Sequence, residues 1–74
     1  MKENILKSER VKKALTQKDV AEALQIDVTS YCKRETGSID FKLDEIVKLK
    51  KILNLKPSDI DEIFFDGKLE LKSS

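Results

Sequence analysis

Residues 15–37 read LTQKDVAEALQIDVTSYCKRETG, and this stretch decides the fold. Thr16 and Asp19 have the spacing of a capping box, in which each side chain accepts a hydrogen bond from the other residue's backbone N–H. Apolar residues follow at helical intervals, so the pattern predicts a helix over residues 17–24. Asp27 is a suitable N-cap for a second helix in the remainder of the stretch, because a carboxylate there accepts backbone N–H bonds.

The two helices are separated only by the short segment QID, which is too short for a hairpin whose arms pack lengthwise. We therefore expect them to cross steeply, as in a helix-turn-helix, with the second helix partly outside the core. This second helix ends near Glu35, and its apolar residues are only Val28, Tyr31 and Cys32. One side of it is expected to face something other than protein.

The remaining segments complete an all-α prediction. They are a helix over 4–13, a loop over 36–42, a helix over 43–53, a helix over 57–65 that Pro57 suits in its first turn, and a tail over 66–74. The helix at 43–53 has a broad apolar face, made of Leu43, Ile46, Val47, Leu49 and Leu53. Leu69 and Leu71 alternate with charges, so the tail is expected to be extended or frayed. The prediction is five short helices in one domain over residues 1–65, followed by a C-terminal tail.

Composition excludes several classes of function. The chain has 74 residues, and a domain of this size buries only about 60% of the surface of its unfolded chain, which disfavours a deep catalytic cavity. There is no histidine, and Cys32 is the single cysteine, so the sequence offers no internal disulfide, zinc site or cysteine–histidine nucleophile. We expect no enzyme, no metal and no cofactor.

Charge and hydropathy point to a cytoplasmic protein without strong polyanion affinity. Fifteen basic residues stand against fourteen acidic ones, so any nucleic-acid affinity depends on how the charges are distributed. No apolar run approaches the ~18 residues of a membrane span, and no export signal is evident. The sequence therefore indicates no membrane partner and no small-molecule ligand.

Residues 15–37, with Arg10 before them and FKLDEIVKLKKILNL after the loop, resemble the helix-turn-helix domains of lambdoid phage repressors and Cro proteins, which are XRE-like regulators. The resemblance covers roughly residues 5–63. The shared marks are Gln17 at the start of the second helix, Ala21 in its middle, Glu35 and Gly37 at the end of the third, and a hydrophobic fourth helix. The ending DEIFF is similar to that of small regulators from phages of Gram-positive bacteria.

The resemblance implies a lambda-repressor-like five-helix bundle that binds a double-stranded DNA operator as a two-fold homodimer, with the third helix in the major groove. It also implies an ion pair between Arg10 and Glu35 that ties the first helix to the third. The residues expected at DNA are Val28, Thr29, Cys32 and Lys33 near the bases, and Gln17, Lys18, Arg34 and Lys42 near the phosphates.

Periodicity and the resemblance disagree about how the third helix is rotated. Periodicity places Val28, Tyr31 and Cys32 on one core-facing side, whereas the resemblance buries Ser30, Tyr31 and the stem of Arg34. We adopt the second rotation, in which the Arg34 guanidinium extends outward to a phosphate. At a neighbouring position, Gln25 stands where the turn of such proteins usually has glycine, so a positive φ is expected there.

Two questions stay open in the sequence. The expected dimer seam is the fifth helix with Ile63, Phe64 and Phe65, which Leu69 and Leu71 could extend by pairing strands; Ile52 either covers this helix or joins the seam. The first functional reading is a transcriptional repressor. The alternative is an antitoxin or antirepressor that uses the same fold to sequester a protein, which the acidic fifth helix favours.

Overall fold

The computed structural model describes residues 1–65, and within them the chain forms five α-helices and no strand. They are α1 (Glu3–Lys12), α2 (Gln17–Leu24), α3 (Val28–Glu35), α4 (Leu43–Ile52) and α5 (Pro57–Phe65). The predicted all-α class is confirmed, and the first helix lies one residue earlier than expected. The predictions for Leu69, Leu71 and the rest of the tail concern positions outside the described residues. No helix among the described residues is long and apolar enough to cross a membrane.

The predicted local signals start α2 and α3. The Asp19 backbone N–H donates to Thr16 Oγ1 at 3.0 Å, and the Thr16 N–H donates to an Asp19 carboxylate oxygen at 2.8 Å, so the capping box is confirmed. Asp27 accepts a hydrogen bond from the Ser30 N–H as the N-cap of α3. These bonds satisfy N–H groups that a helix cannot pair internally. They also lower the pKa of Asp19 and, chiefly through the Ser30 hydroxyl, that of Asp27.

The turn between α2 and α3 is closed in the left-handed conformation. Gln25 has φ +62° and ψ +39°, as expected for a position where related proteins carry glycine. The N–H of Ile26 then donates to Ala21 O at 3.0 Å and that of Gln25 to Glu22 O at 3.1 Å, which satisfies the last carbonyls of α2. The turn therefore closes α2 within the short segment before α3 begins at Val28.

The hydrophobic core is formed by residues from one side of each helix. Its buried apolar residues are Leu6, Val20, Ala21, Leu24, Tyr31, Leu49, Leu53, Leu55 and Ile63. The contribution of α3 is Tyr31, which stands first among the largest fully buried side chains of the described residues, and its packing helps to hold the helix. Ile52 is half-buried and packs against this core, and the Phe41 ring stands edge-on between Tyr31 and Phe64.

Two expectations about apolar surfaces are corrected. The face of α4 is divided: Leu49 and Leu53 are buried, but Leu43 is 73% exposed and Val47 51% exposed. The expected seam on α5 is wrong in part, because Ile63 is fully buried against the core and has no surface to offer a second chain.

Candidate nucleic-acid interface

The inner side of α3 is held to α1 and α2 by a buried network centred on Glu35. Arg10 donates to the Glu35 carboxylate through Nε at 2.8 Å and through Nη2 at 3.2 Å. The Tyr31 hydroxyl donates at 2.7 Å and Gln17 Nε2 at 3.0 Å. The expected Arg10–Glu35 pair is confirmed, and Arg10 also donates to the carbonyl of Leu15, in the connection between α1 and α2.

Burial and hydrogen bonding act in opposite directions on Glu35. Burial alone raises the pKa of this carboxyl, but the hydrogen bonds from Arg10, Tyr31 and Gln17 together outweigh it and lower the pKa below 4.5. The same pairing raises the pKa of Arg10, and burial raises the pKa of the Tyr31 phenol, with its hydrogen bond to Glu35 adding to the effect. Glu35 is therefore a permanent carboxylate near neutral pH.

A second buried ion pair joins α3 to α4. Arg34 Nε donates to Glu45 Oε1 at 2.9 Å, and Arg34 Nη1 donates to the carbonyl of Ser30 at 3.2 Å. The same Glu45 oxygen accepts the backbone N–H of Lys42 at the start of α4. The structure thus turns the Arg34 guanidinium inward, not toward solvent as expected from the sequence, because Glu45 offers it a buried carboxylate.

Sequence reasoning missed Glu45, although one signal was present. Glu45 stands four residues before Leu49 on α4, so the two share a helix face, and Leu49 belongs to the apolar stripe. An acidic residue on the core-facing side of an apolar stripe needs a buried side chain with which it can form an ion pair or hydrogen bond. The sequence has two arginines, and because Arg10 was expected to pair with Glu35, Arg34 was the candidate for that partner.

The outer side of α3 has the rotation that the resemblance implied. Thr29 and Lys33 are exposed and Val28 is 41% exposed, whereas Tyr31 is buried and Ser30 half-buried. The periodicity argument that placed Val28 in the core is therefore wrong. Because Thr29 and Lys33 are four residues apart, they project from the same face and together present a hydroxyl and an ammonium group to solvent.

Gln17 and Cys32 connect the start of α2 to α3. Gln17 Nε2 donates to Glu35, and Gln17 Oε1 accepts from the Cys32 thiol at 3.0 Å. An amide nitrogen carries two hydrogens, and the bond to Glu35 uses one of them. Gln17 is also the first residue of α2, where backbone N–H groups and the helix dipole favour an anion.

The two lysines expected at phosphates are both exposed. Lys18 is exposed beside Gln17, and Lys42 is exposed just before α4. Asp40, in the loop between α3 and α4, is exposed as well and adds a negative charge close to Lys42 in the chain. Among residues 1–65, no group of acidic or cysteine side chains could hold a metal ion.

α3 is the second helix of a helix-turn-helix, held on its inner side by ion pairs and exposed on its outer side. The family model for helix-turn-helix proteins matches residues 6–60, from α1 into α5. The chain belongs to the helix-turn-helix family. Comparison with curated proteins and comparison with solved structures each gave no match.

Membership of the helix-turn-helix family supports a general function for this chain. Helix-turn-helix proteins of this XRE type are DNA-binding transcription regulators and are generally not enzymes. The match includes both helices of the motif and the turn at Gln25 between them. DNA is therefore the ligand that the family indicates for this chain.

Proposed function

We propose that this helix-turn-helix protein is a cytoplasmic, sequence-specific repressor of the lambdoid phage type, which binds a two-fold symmetric operator as a homodimer with α3 in the major groove. The observation that carries the proposal is the rotation of α3, which gives the core one apolar side chain and leaves Thr29 and Lys33 exposed. A bound dimer represses by occupying DNA that the polymerase needs.

Each exposed residue of α3 suits a different base feature. Lys33 can donate to the O6 and N7 atoms of guanine, and the Thr29 hydroxyl can donate or accept at several base edges. The methyl groups of Val28 suit the methyl group of thymine, and Cys32 lies beside them at the margin. We assign sequence preference to these four positions.

Contacts to phosphates fix the register without reading sequence. We assign them to the start of α2, where Gln17 has a second amide hydrogen and Lys18 is adjacent, and to Lys42 at the start of α4. Arg34 is not included, since its guanidinium is bound to Glu45. Because few lysines lie at this surface, few counterions are released on binding, so the electrostatic part of the affinity is expected to be modest and its fall with rising salt gradual.

A homodimer follows from the size of the reading surface. One short helix contacts only a few base pairs, and each mismatched pair costs about 1–3 kcal/mol, so a single half-site discriminates weakly. Two copies double the number of base pairs read, and their half-sites lie roughly 34 Å apart when α3 and its symmetry mate enter successive turns of the groove.

Selection of bound duplexes from a random pool tests the proposal. The expected result is an inverted repeat whose half-sites are about one helical turn apart. In the selected duplex, Lys33→Ala should cost about 1–3 kcal/mol and relax the preference at one position of each half-site. Lys48→Ala, which removes the same charge from the exposed side of α4, is the matched control. Recovery of random sequence, or equal losses from both variants, would refute base reading by α3.

The alternative, a module that sequesters a protein, loses part of its support. It relied on the acid-rich α5, but Asp61 is buried and Glu62 lies within 4.0 Å of the Lys2 ammonium. A gel-shift at low and moderate salt separates the two readings, since a pure protein-binding module prefers no duplex.

A further inference from the structure

Within residues 1–65, an apolar surface on α4 is left uncovered by the other helices. Leu43 and Val47 are one turn apart on this helix and are among its most exposed residues. They border a shallow groove of about 320 Å³ between α4 and α5, whose other lining residues are Ile46, Lys50, Ile60 and Phe65. Exposed apolar residues are usual singly, but adjacent ones that border a groove indicate an interaction surface.

We propose that a second copy of this chain docks here, with the two α4 helices antiparallel across a two-fold axis next to Val47. We define the α4 face as Leu43, Asp44, Val47 and Lys51. The inference rests on the homodimer of the proposed function and places its interface on α4. The seam expected from the sequence was α5 with Ile63, Phe64 and Phe65, of which Ile63 is fully buried.

The charges of the α4 face are complementary to their own two-fold image. Asp44 precedes Val47 by three residues and Lys51 follows it by four, and both are exposed. At about 100° per residue, both lie to the same side of Val47, within about 60° of it. In an antiparallel pair centred on Val47, Asp44 of each chain therefore faces Lys51 of the partner subunit. The symmetric contact contains two such pairs around an apolar centre, which favours a second copy over an unrelated partner.

The α4 face lies on the opposite side of α4 from the contact that this helix makes with α3. Val47 lies about 160° around the helix from both Glu45 and Leu49. Glu45 pairs with Arg34 of α3, and Leu49 is in the core. Docking on the α4 face therefore leaves Thr29 and Lys33 of each chain uncovered.

The proposed contact between the two α4 helices is short, so it buries little surface and is expected to be weak. A helix of ten residues is about 15 Å long, so two of them bury less than the ~800 Å² per partner of a standard interface. We expect weak self-association of the free protein and strongly cooperative binding of two chains to one operator.

Matched substitutions of valine test the apolar centre. Val47→Glu places two like charges at the two-fold axis and should raise the dissociation constant of the dimer roughly tenfold or more. Val11→Glu is the control, because Val11 is 57% exposed on α1 and Val47 is 51% exposed. Sedimentation equilibrium at protein concentrations up to the millimolar range gives the dimer dissociation constant of each variant. Circular dichroism verifies that both are folded. Equal constants for the two variants, or a wild-type protein that stays monomeric throughout, would overturn the inference.

A charge exchange tests the pairing itself. Asp44→Lys and Lys51→Asp, each alone, put like charges opposite each other and should weaken association roughly fivefold. The double variant restores both pairs and should recover most of the wild-type constant. It also carries unfavourable charges at both ends of α4, so a gain in folding cannot explain the recovery. A double variant that associates more weakly than either single one would contradict the proposed register.

Binding to half of an operator separates this inference from the proposed function. Val47→Glu should bind an isolated half-site like the wild type and lose cooperativity on the full site. If neither protein prefers any duplex, the proposed function fails. If both prefer the full site with equal cooperativity, the function stands and the α4 face is not the interface.

Discussion

Replacing Glu35 with glutamine is expected to remove a large part of the stability of this small domain. The side chain is 3% exposed and accepts from Arg10, Tyr31 and Gln17. Glutamine has a similar shape, but its amide oxygen accepts only part of these bonds and its NH₂ group faces other donors. It also leaves the buried guanidinium of Arg10 without a counter-charge.

The magnitude follows from that unpaired charge. Removing one partner of a buried ion pair typically costs 3–5 kcal/mol, and the oxygen that Glu35→Gln retains places the loss near the lower end, at about 3 kcal/mol. A chain of this length has roughly 4–11 kcal/mol of total stability. Urea unfolding at neutral pH, followed by circular dichroism, measures the difference. Glu22→Gln, on the exposed side of α2, is the control and should change little.

The pH dependence gives this prediction a second readout. Because the folded-state pKa of Glu35 is lowered, its contribution is fully present above the unfolded value of 4.5 and is lost as the pH falls through the folded-state pKa. The stability difference between wild type and Glu35→Gln should therefore shrink below about pH 4.5. A difference under about 1 kcal/mol at neutral pH, or one that does not shrink in acid, would refute the role of the network.

The remaining predictions concern three other positions. Arg34→Ala should lower the free energy of unfolding by about 3 kcal/mol, because it leaves the buried Glu45 carboxylate unpaired; unchanged stability with a loss of DNA affinity would instead place the guanidinium on a phosphate. Gln17→Ala should weaken gel-shifts with all duplexes about equally, and a loss confined to one sequence would contradict a backbone contact. Gln25→Gly should raise the free energy of unfolding by up to about 1 kcal/mol in urea, since glycine adopts the positive φ without strain; a decrease would mean that the side chain makes a stabilising contact.

The helices were predictable because their signals are local. Thr16 with Asp19, and Asp27 alone, cap helices through residues at most three positions away. The positive φ of Gln25 follows from the short connection that it closes. Such features depend on few residues and little on the rest of the fold, so the sequence states them directly.

The direction of Arg34 was not predictable in the same way. An arginine has a long, flexible side chain that can extend to solvent or turn inward, and its own helix is compatible with both. What decides is Glu45, which is eleven residues away and is brought close by the path of the loop at 36–42. The rotation of α3 was predictable only through the resemblance, since two small apolar residues misled the periodicity argument.

The coverage of α4 also depends on tertiary structure. Its apolar residues occupy much of the circumference, and α2 and the core cover only part of it. Which of Leu43, Val47 and Leu49 is covered depends on where the other helices lie. Periodicity alone cannot separate a core face from an interface.

Because α3 is held by ion pairs on its inner side, a protein of this kind can evolve a new DNA preference through its outer side. Arg10 with Glu35 and Arg34 with Glu45 fix the helix from the inner side, so positions 28, 29 and 33 have almost no part in holding the fold. Randomising these three positions should yield a library that remains largely folded while its members prefer different sequences. Selection for a new operator can therefore proceed in this lineage without an accompanying selection for restored stability.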